Sequence, residues 1–177
     1  MAGFQQRPRI KIKMTFAEHV LEIISISGLF TAVHILLKFW PELPATIPSH
    51  FNFYGEVDAW SDKNSLLFLL GMNVLLYLLM TIVRRFPHTF NFPVKVTKNN
   101  AEKQYQLAVR LIAILKAEVV WLFAHLQWQI IQVALGGSSS LGPEFLVIVL
   151  VGLTLPLIIY LKIARQNHDV SKNTARK

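Results

Sequence analysis

Four long apolar segments dominate the chain, and each is almost free of formal charge. They cover residues 23–37, 65–83, 119–135 and 145–161. A helix needs about 20 mostly apolar residues to cross the roughly 30 Å hydrocarbon core of a bilayer. Each segment reaches that length when a few flanking residues are added. The pattern therefore predicts an all-α integral membrane protein, built as a four-helix bundle in a single domain.

The boundaries of the predicted helices follow from the residues at their ends. The four spans are predicted at residues 16–39, 62–84, 110–135 and 144–163, within one membrane domain at residues 16–163. Ser61 is the predicted N-cap of the second span, since its hydroxyl can accept a backbone N–H bond in the first turn. Asn99 and Glu102 predict a capping box before the third helix. The first span is not expected to be a signal peptide, because it lacks a small-residue cleavage site and its apolar stretch is too long.

The basic residues divide the connections into two classes. Of the 18 Lys and Arg residues, 15 lie in the tail at residues 1–15, around the connection at residues 85–109, or in the C-terminal part that includes the tail at residues 164–177. Short segments rich in Lys and Arg stay in the cytoplasm. Both tails are therefore predicted to be cytoplasmic, which leaves the loop at residues 40–61 as a structured extracytoplasmic loop. The predicted location is the cytoplasmic membrane.

Composition and charge limit the classes of binding partner that are expected for this chain. Only 16% of the residues are charged, against roughly 25% in an average soluble domain, so the expected partner is a lipid bilayer. The net charge of +8 is explained by attraction to anionic headgroups, and no nucleic acid is expected. The chain has no cysteine, which removes disulfides and thiol chemistry.

Polar residues at membrane depth form one candidate site. Glu118, Trp121, His125, Gln129 and Gln132 recur at helical spacing on the third span, so they share one face. That face is predicted to point into the bundle, because a polar stripe is costly against lipid. Together with Glu22 of the first span, the stripe has three interpretations. It fastens helices by hydrogen bonds, with Glu22 paired to Lys116 or Arg110, it forms a proton or ion path in a small transporter, or it forms a binding groove for a partner helix or a lipid.

The segment "LPATIPSHFNFYGEVDAWSDK" at residues 43–63 forms the second candidate site. Gly55 suits a turn with positive φ, and Asn52 and Asp58 suit side-chain turns that bond the local backbone. The segment is either an ordered cap or a recognition surface for a peptide or lipid headgroup. A membrane enzyme that uses His50 and Asp58 as acid and base, with Lys63 nearby, is a further alternative. A metal site from His34, His50 and His125 lacks any metal-binding spacing, so no metal, cofactor or catalytic residue is assigned.

This segment resembles the N-terminal domain of unknown function of SdpI-type bacterial immunity membrane proteins. The pattern of that domain is Leu-Pro, Ile-Pro-x-His-Phe-Asn, Gly-x-x-Asp-x-Trp and then Lys. The chain has every element of it in order, at Leu43-Pro44, Ile47-Pro48, His50, Phe51, Asn52, Gly55, Asp58, Trp60 and Lys63. The resemblance covers roughly residues 20–85, which include the first two spans.

The resemblance implies a function that composition alone does not. It implies a non-enzymatic membrane protein in toxin immunity or envelope-stress signalling, with a membrane-active peptide or a cytoplasmic regulator as partner. The SdpI-type members carry additional spans in a second domain, and this chain shows no recognisable counterpart. The alternatives that stay open are a proton- or ion-coupled transporter on the third helix and a membrane enzyme at His50 and Asp58.

Overall fold

The computed structural model describes residues 7–142 and 144–174. The helices are α1 (Phe16–Phe39), α2 (Ser65–Val83), α3 (Ala101–Ala134) and α4 (Glu144–Thr174), and the strands are β1 (Thr46–Phe51) and β2 (Val57–Asp62). A single 3-10 turn at Pro87–Thr89 lies in the connection between α2 and α3. The outermost parts of both predicted tails, residues 1–6 and 175–177, lie outside the described residues.

Strands β1 and β2 correct the prediction of an all-α fold. They pair antiparallel, with Thr46 opposite Asp62 and Phe51 opposite Val57, between α1 and α2. We refer to this unit, with its turn at residues 52–56, as the hairpin. Pro48 is tolerated in β1 because a two-stranded sheet leaves each strand with a free edge, where a missing N–H breaks no ladder bond.

The two predicted helix caps next to α2 and α3 are wrong. Ser61 lies within β2, and α2 begins only at Ser65 because a turn comes between, in which the Asp62 carboxylate accepts the Asn64 backbone N–H at 2.8 Å. The N-cap of α3 is Asn100 rather than Asn99. The buried side chain of Asn100 accepts from the backbone N–H of Thr97 at 2.7 Å. It therefore stabilises the end of the α2–α3 connection and does not form a capping box.

Three helices are long and apolar enough to cross a membrane, at Phe16–Phe39, Ser65–Val83 and Phe145–Gln166. Large apolar side chains on these helices remain exposed in the isolated chain, which is the normal condition of a lipid-facing helix. The protein is therefore a membrane protein. Helix α3 is not one of these three, and Lys116, Glu118 and several amides interrupt its apolar residues.

Helix α3 is the centre of the packing. It contacts α1 most extensively, then α2 and α4, whereas α4 packs mainly on α3. The α3 face toward α1 and α2 carries small residues that allow close approach, among them Ala113, Ala117 and Ala124, which are all buried. Helix α3 thus contacts each of the three candidate membrane spans.

Amide side chains fasten the neighbouring helices to α3. The Gln127 amide donates to the Ala32 carbonyl of α1 at 2.7 Å, and Asn73 of α2 donates to the Val120 carbonyl at 3.2 Å. The Gln104 amide of α3 donates to the Ala164 carbonyl of α4 at 3.0 Å. Bonds of this kind contribute roughly 0.6–2 kcal/mol each in a membrane.

The two ends of the bundle have separate apolar clusters. The hairpin end is closed by a cluster of buried side chains from four elements and the adjoining loop, namely Leu36, Leu43, Ile47, Leu66, Ile130 and Ile131. At the opposite end Phe90 and Phe92 of the connection pack against Ala108, Tyr160 and Ala164. These two phenylalanines therefore lie partly inside the protein.

The N-terminal segment is tied to this opposite end. The Tyr105 hydroxyl donates to the Pro8 carbonyl at 3.0 Å, and the Arg7 guanidinium donates to the Phe90 carbonyl and lies over the Phe92 ring at 5.5 Å. Burial raises the pKa of Tyr105, because the charged phenolate is disfavoured away from water, so the hydroxyl remains available as a donor.

Candidate functional site

The hairpin turn is built around Asn52. Its side-chain oxygen accepts from the backbone N–H groups of Tyr54 at 2.9 Å and Glu56 at 3.0 Å. Its amide nitrogen donates to the Glu56 carboxylate at 2.9 Å. The side-chain turn predicted at Asn52 is therefore confirmed, and three bonds from one residue hold the turn in a single shape.

Gly55 joins the hairpin to the α3–α4 loop. Its φ of 79° confirms the predicted positive-φ turn, a conformation that other residues adopt only with strain. Its carbonyl accepts from the Leu141 backbone N–H at 2.8 Å, and an added Cβ would lie 3.0 Å from the Leu141 oxygen. Any other residue at position 55 would be strained by the positive φ, and its Cβ would lie too close to the α3–α4 loop.

His50 and Asp58 form a pair, but Lys63 does not join them. The His50 Nδ1 and Asp58 Oδ1 atoms are 2.5 Å apart, and both side chains are exposed. Lys63 instead lies over the Trp40 ring at 4.9 Å and donates to the Trp40 carbonyl at 3.5 Å. The three-residue arrangement considered from the sequence is therefore wrong, and so is the local turn predicted at Asp58, because its carboxylate bonds across the hairpin.

Strand β2 presents a row of acidic and aromatic side chains. Alternate residues of a strand point to the same side, and the four exposed ones are Glu56, Asp58, Trp60 and Asp62. Trp60 is 58% exposed, and Phe53 and Tyr54 at the hairpin tip are more exposed still. We call these four residues, Glu56 at the end of the turn and Asp58, Trp60 and Asp62 of β2, the acidic row.

A hollow of about 630 Å³ lies beside the hairpin tip. Its walls are residues 50–55 on one side and Leu141, Gly142, Phe145 and Leu146 on the other. Gly55 and Leu141 belong to these two walls, and the hydrogen bond between them joins the hairpin to the α3–α4 loop. Phe51, the remaining motif residue, is half-buried and lines this hollow from β1.

The predicted stripe on α3 does not face the interior of the bundle. Trp121 and His125 are exposed, and Glu118, Gln129 and Gln132 are half-buried. The buried face is instead formed by Lys116, Ala117, Val120, Ala124 and Gln127. The prediction that the stripe points inward is wrong because the small-residue face, with its paired lysine and glutamine, is the one that α1 and α2 cover.

Glu22 belongs to a separate polar cluster. Its carboxylate accepts from Lys116 Nζ at 2.6 Å and from the Tyr77 hydroxyl at 2.6 Å, and Arg84 Nη1 lies 3.6 Å away. Lys116 also donates to the Thr81 hydroxyl at 3.0 Å. Helices α1, α2 and α3 therefore meet at one carboxylate, and the pairing of Glu22 with Lys116 expected from the fastening interpretation is confirmed.

A second carboxylate of α1 lies one turn earlier. Glu18 is fully buried and accepts from the Gln106 amide at 2.5 Å and from the Thr15 backbone N–H at 2.9 Å. Arg110 contacts Glu18 at 4.0 Å rather than Glu22. The stripe hypothesis missed Tyr77, Thr81 and Arg84. A lysine at mid-helix depth requires acceptors, and this signal points to Glu22 and Thr81 but not to Tyr77 or Arg84.

Within residues 7–142 and 144–174, no group of three or more His, Asp or Glu side chains is placed to hold a metal ion. His34 is exposed on α1, and it does not converge with His50 and His125. The histidine site considered from the sequence is therefore wrong for the described part of the chain.

The fold and these clusters define a helical membrane protein. Its polar cluster around Glu22 joins α1, α2 and α3, and its hairpin is held in one shape at one end of the bundle. Residues 28–83, about a third of the chain, match the model of a family described as a domain of unknown function (DUF1648). The match runs from the middle of α1 to the last residue of α2 and includes the whole hairpin. No curated protein and no solved structure matches the chain.

Proposed function

We propose that the protein is a non-enzymatic, four-span protein of the bacterial cytoplasmic membrane that recognises a membrane-active peptide through its hairpin. Its role would lie in toxin immunity or envelope-stress signalling. The observation that carries the proposal is the acidic row, an exposed surface on a rigid hairpin beside an aromatic-lined hollow. The similarity of residues 28–83 to the domain of unknown function supports the choice of the hairpin, since that match contains it.

The chemistry of the acidic row favours a cationic amphipathic peptide. The acidic row offers three carboxylates and one indole at alternate positions, so it can contact the basic and the apolar side chains of one peptide together. Tryptophan also attracts cations over its ring face. In this proposal α3 is the fourth span, because its buried Lys116 is paired with Glu22 inside the bundle and the other three helices pack against it. Both tails are then cytoplasmic, and the hairpin faces outward.

Signalling would pass through the contact at Gly55. A peptide that binds the acidic row and the hollow touches both the hairpin and the start of α4. The Leu141 backbone of the α3–α4 loop is hydrogen-bonded to the hairpin. Movement of the hairpin tip would therefore be transmitted to α3 and α4. A cytoplasmic regulator would respond at the opposite end.

A protection assay tests the proposed function. Peptide-sensitive cells that express the protein should survive a membrane-active cationic peptide that kills the parent cells. Asp58→Ala and Trp60→Ala should each abolish protection, because they remove a charge and the apolar member of the acidic row. Survival would be measured over a dilution series of each peptide in a panel.

The matched control is Phe86→Ala, since Phe86 is a large, 49% exposed aromatic residue at the opposite end of the bundle. This variant should protect as well as the unchanged protein. The proposal fails if the unchanged protein protects against no peptide in the panel, or if Asp58→Ala and Trp60→Ala protect as well as Phe86→Ala at equal membrane expression.

A further inference from the structure

Glu118 lines a groove between α3 and α4 that the hairpin function does not use. The groove has a volume of about 350 Å³, and its lining residues are Glu118, Trp121, Leu122, His125, Ile148 and Gly152. A Cβ added to Gly152 would meet nothing within 4 Å, so the α4 wall leaves space opposite the carboxyl group. Small-molecule pockets typically measure roughly 300–1,000 Å³, which places this groove at the small end of that range.

One atom in the groove lacks a partner. The Glu118 Oε2 atom is buried and makes no hydrogen bond to any residue that the structure describes. Glu118 also lies near the midpoint of α3 (Ala101–Ala134), far from both ends of the bundle. A buried carboxyl oxygen without a donor is unfavourable, and at membrane depth it marks a candidate site whose partner has to be found.

None of the neighbouring polar groups bonds to that atom. The Trp121 indole N–H donates to the Ile24 carbonyl at 2.9 Å, and the His125 ring lies against Phe145 with centroids 5.9 Å apart. Lys116 is two residues away along α3 but donates to Glu22 and Thr81 on a different face. The Glu118 carboxyl group is therefore open to a donor from outside the described chain.

We propose that the groove binds a lipophilic ammonium ion, which donates an N–H to Glu118 Oε2 and lays its hydrocarbon tail along Leu122, Ile148 and the space at Gly152. The carboxylate selects a charged donor, because a hydrogen bond between charged groups is stronger than a neutral one. The apolar lining selects a tail that can enter from the bilayer. The site lies away from the acidic row. The proposal of an ammonium site is therefore independent of the proposal that the hairpin recognises a peptide.

Calorimetric titration with dodecylammonium tests the site. The protein is reconstituted in phosphatidylcholine nanodiscs, and heat from empty nanodiscs is subtracted. We expect saturable binding to the unchanged protein, and Glu118→Gln should weaken it at least about ten-fold, as the loss of one charge-assisted bond implies. Dodecyltrimethylammonium, which has the charge but no N–H, should bind at least about ten-fold more weakly, and dodecanol should show no saturable binding.

Two further variants locate the ligand. Gly152→Leu fills the open space without touching the carboxyl group, so it should also remove saturable binding. Glu42→Gln, at an exposed carboxylate near the hairpin, should leave it unchanged. The inference is overturned if the unchanged protein shows no saturable binding of dodecylammonium, or if Glu118→Gln or Gly152→Leu binds it as tightly as the unchanged protein does. It is also overturned if Glu42→Gln weakens binding as much as these two variants do. Binding of dodecyltrimethylammonium or dodecanol as tight as that of dodecylammonium would overturn it as well.

Discussion

Replacement of Glu22 by Gln is expected to lower the free energy of unfolding by about 3 kcal/mol, the lower end of the cost of removing one partner from a buried ion pair. Lys116 is completely buried, and its ammonium group is 2.6 Å from the Glu22 carboxylate. Without that carboxylate, Lys116 and Arg84 become two neighbouring cations with no counter-ion between them. Reversible unfolding in mixed micelles of sodium dodecyl sulfate and dodecyl maltoside measures the change.

The double variant Glu22→Gln/Lys116→Met separates charge pairing from packing. It removes the buried cation together with its partner, so much of the lost stability should return, because a buried ion pair can often be replaced at little cost. Glu42→Gln carries the same chemical change at an exposed position and should shift stability by less than about 0.5 kcal/mol. Equal effects of Glu22→Gln and Glu42→Gln would contradict the role of the polar cluster.

The second large effect is expected from Gly28→Leu, which should force α1 away from α3. A Cβ at Gly28 would lie 2.8 Å from Val120 Cγ1 and 3.1 Å from two atoms of the Trp121 ring. Relief of that overlap also disturbs the bond from Trp121 to the Ile24 carbonyl. We expect a loss of roughly 1–3 kcal/mol, as overpacking of a close contact costs, measured in the same mixed micelles.

Gly71→Leu is the matched control for this prediction. Gly71 is a glycine within a membrane helix like Gly28, but a Cβ at its position would meet nothing within 4 Å. The added side chain would face the lipid, so stability should be unchanged or slightly higher, because Gly is a poor helix former. A loss from Gly71→Leu as large as that from Gly28→Leu would show that helix contact is not the cause.

Several features of the hairpin were predictable from local chemistry. The turn conformations at Asn52 and Gly55 follow from what these residue types do anywhere in a chain. The strands themselves were not predictable in this way. Residues 46–51 and 57–62 include proline, histidine and several carboxylates and lack the β-branched runs that signal a strand. They pair because the turn at residues 52–56 brings them together and because Ile47 is buried against α1, α2 and α3.

The direction of the stripe on α3 was the main error in the candidate site. Helical spacing shows that Glu118 and His125 share a side of the helix, but it does not show which side meets the neighbours. Small residues decided that question, since Ala117 and Ala124 let α1 approach closely. The ion pair of Glu22 with Lys116 could be anticipated from the cost of an isolated charge, whereas Tyr77 and Arg84 enter only through the packing of α2.

Orientation of the hairpin is the central claim, since both peptide recognition and a four-span fold depend on it. The chain has no native cysteine, so single cysteines at positions 56, 98 and 139 can be labelled in intact cells with a membrane-impermeant thiol reagent. The account predicts labelling at positions 56 and 139 from outside, and labelling at position 98 only after the cells are lysed. Protection of position 56 would contradict the outward hairpin, and labelling of position 98 from outside or protection of position 139 would contradict the passage of α3 through the membrane.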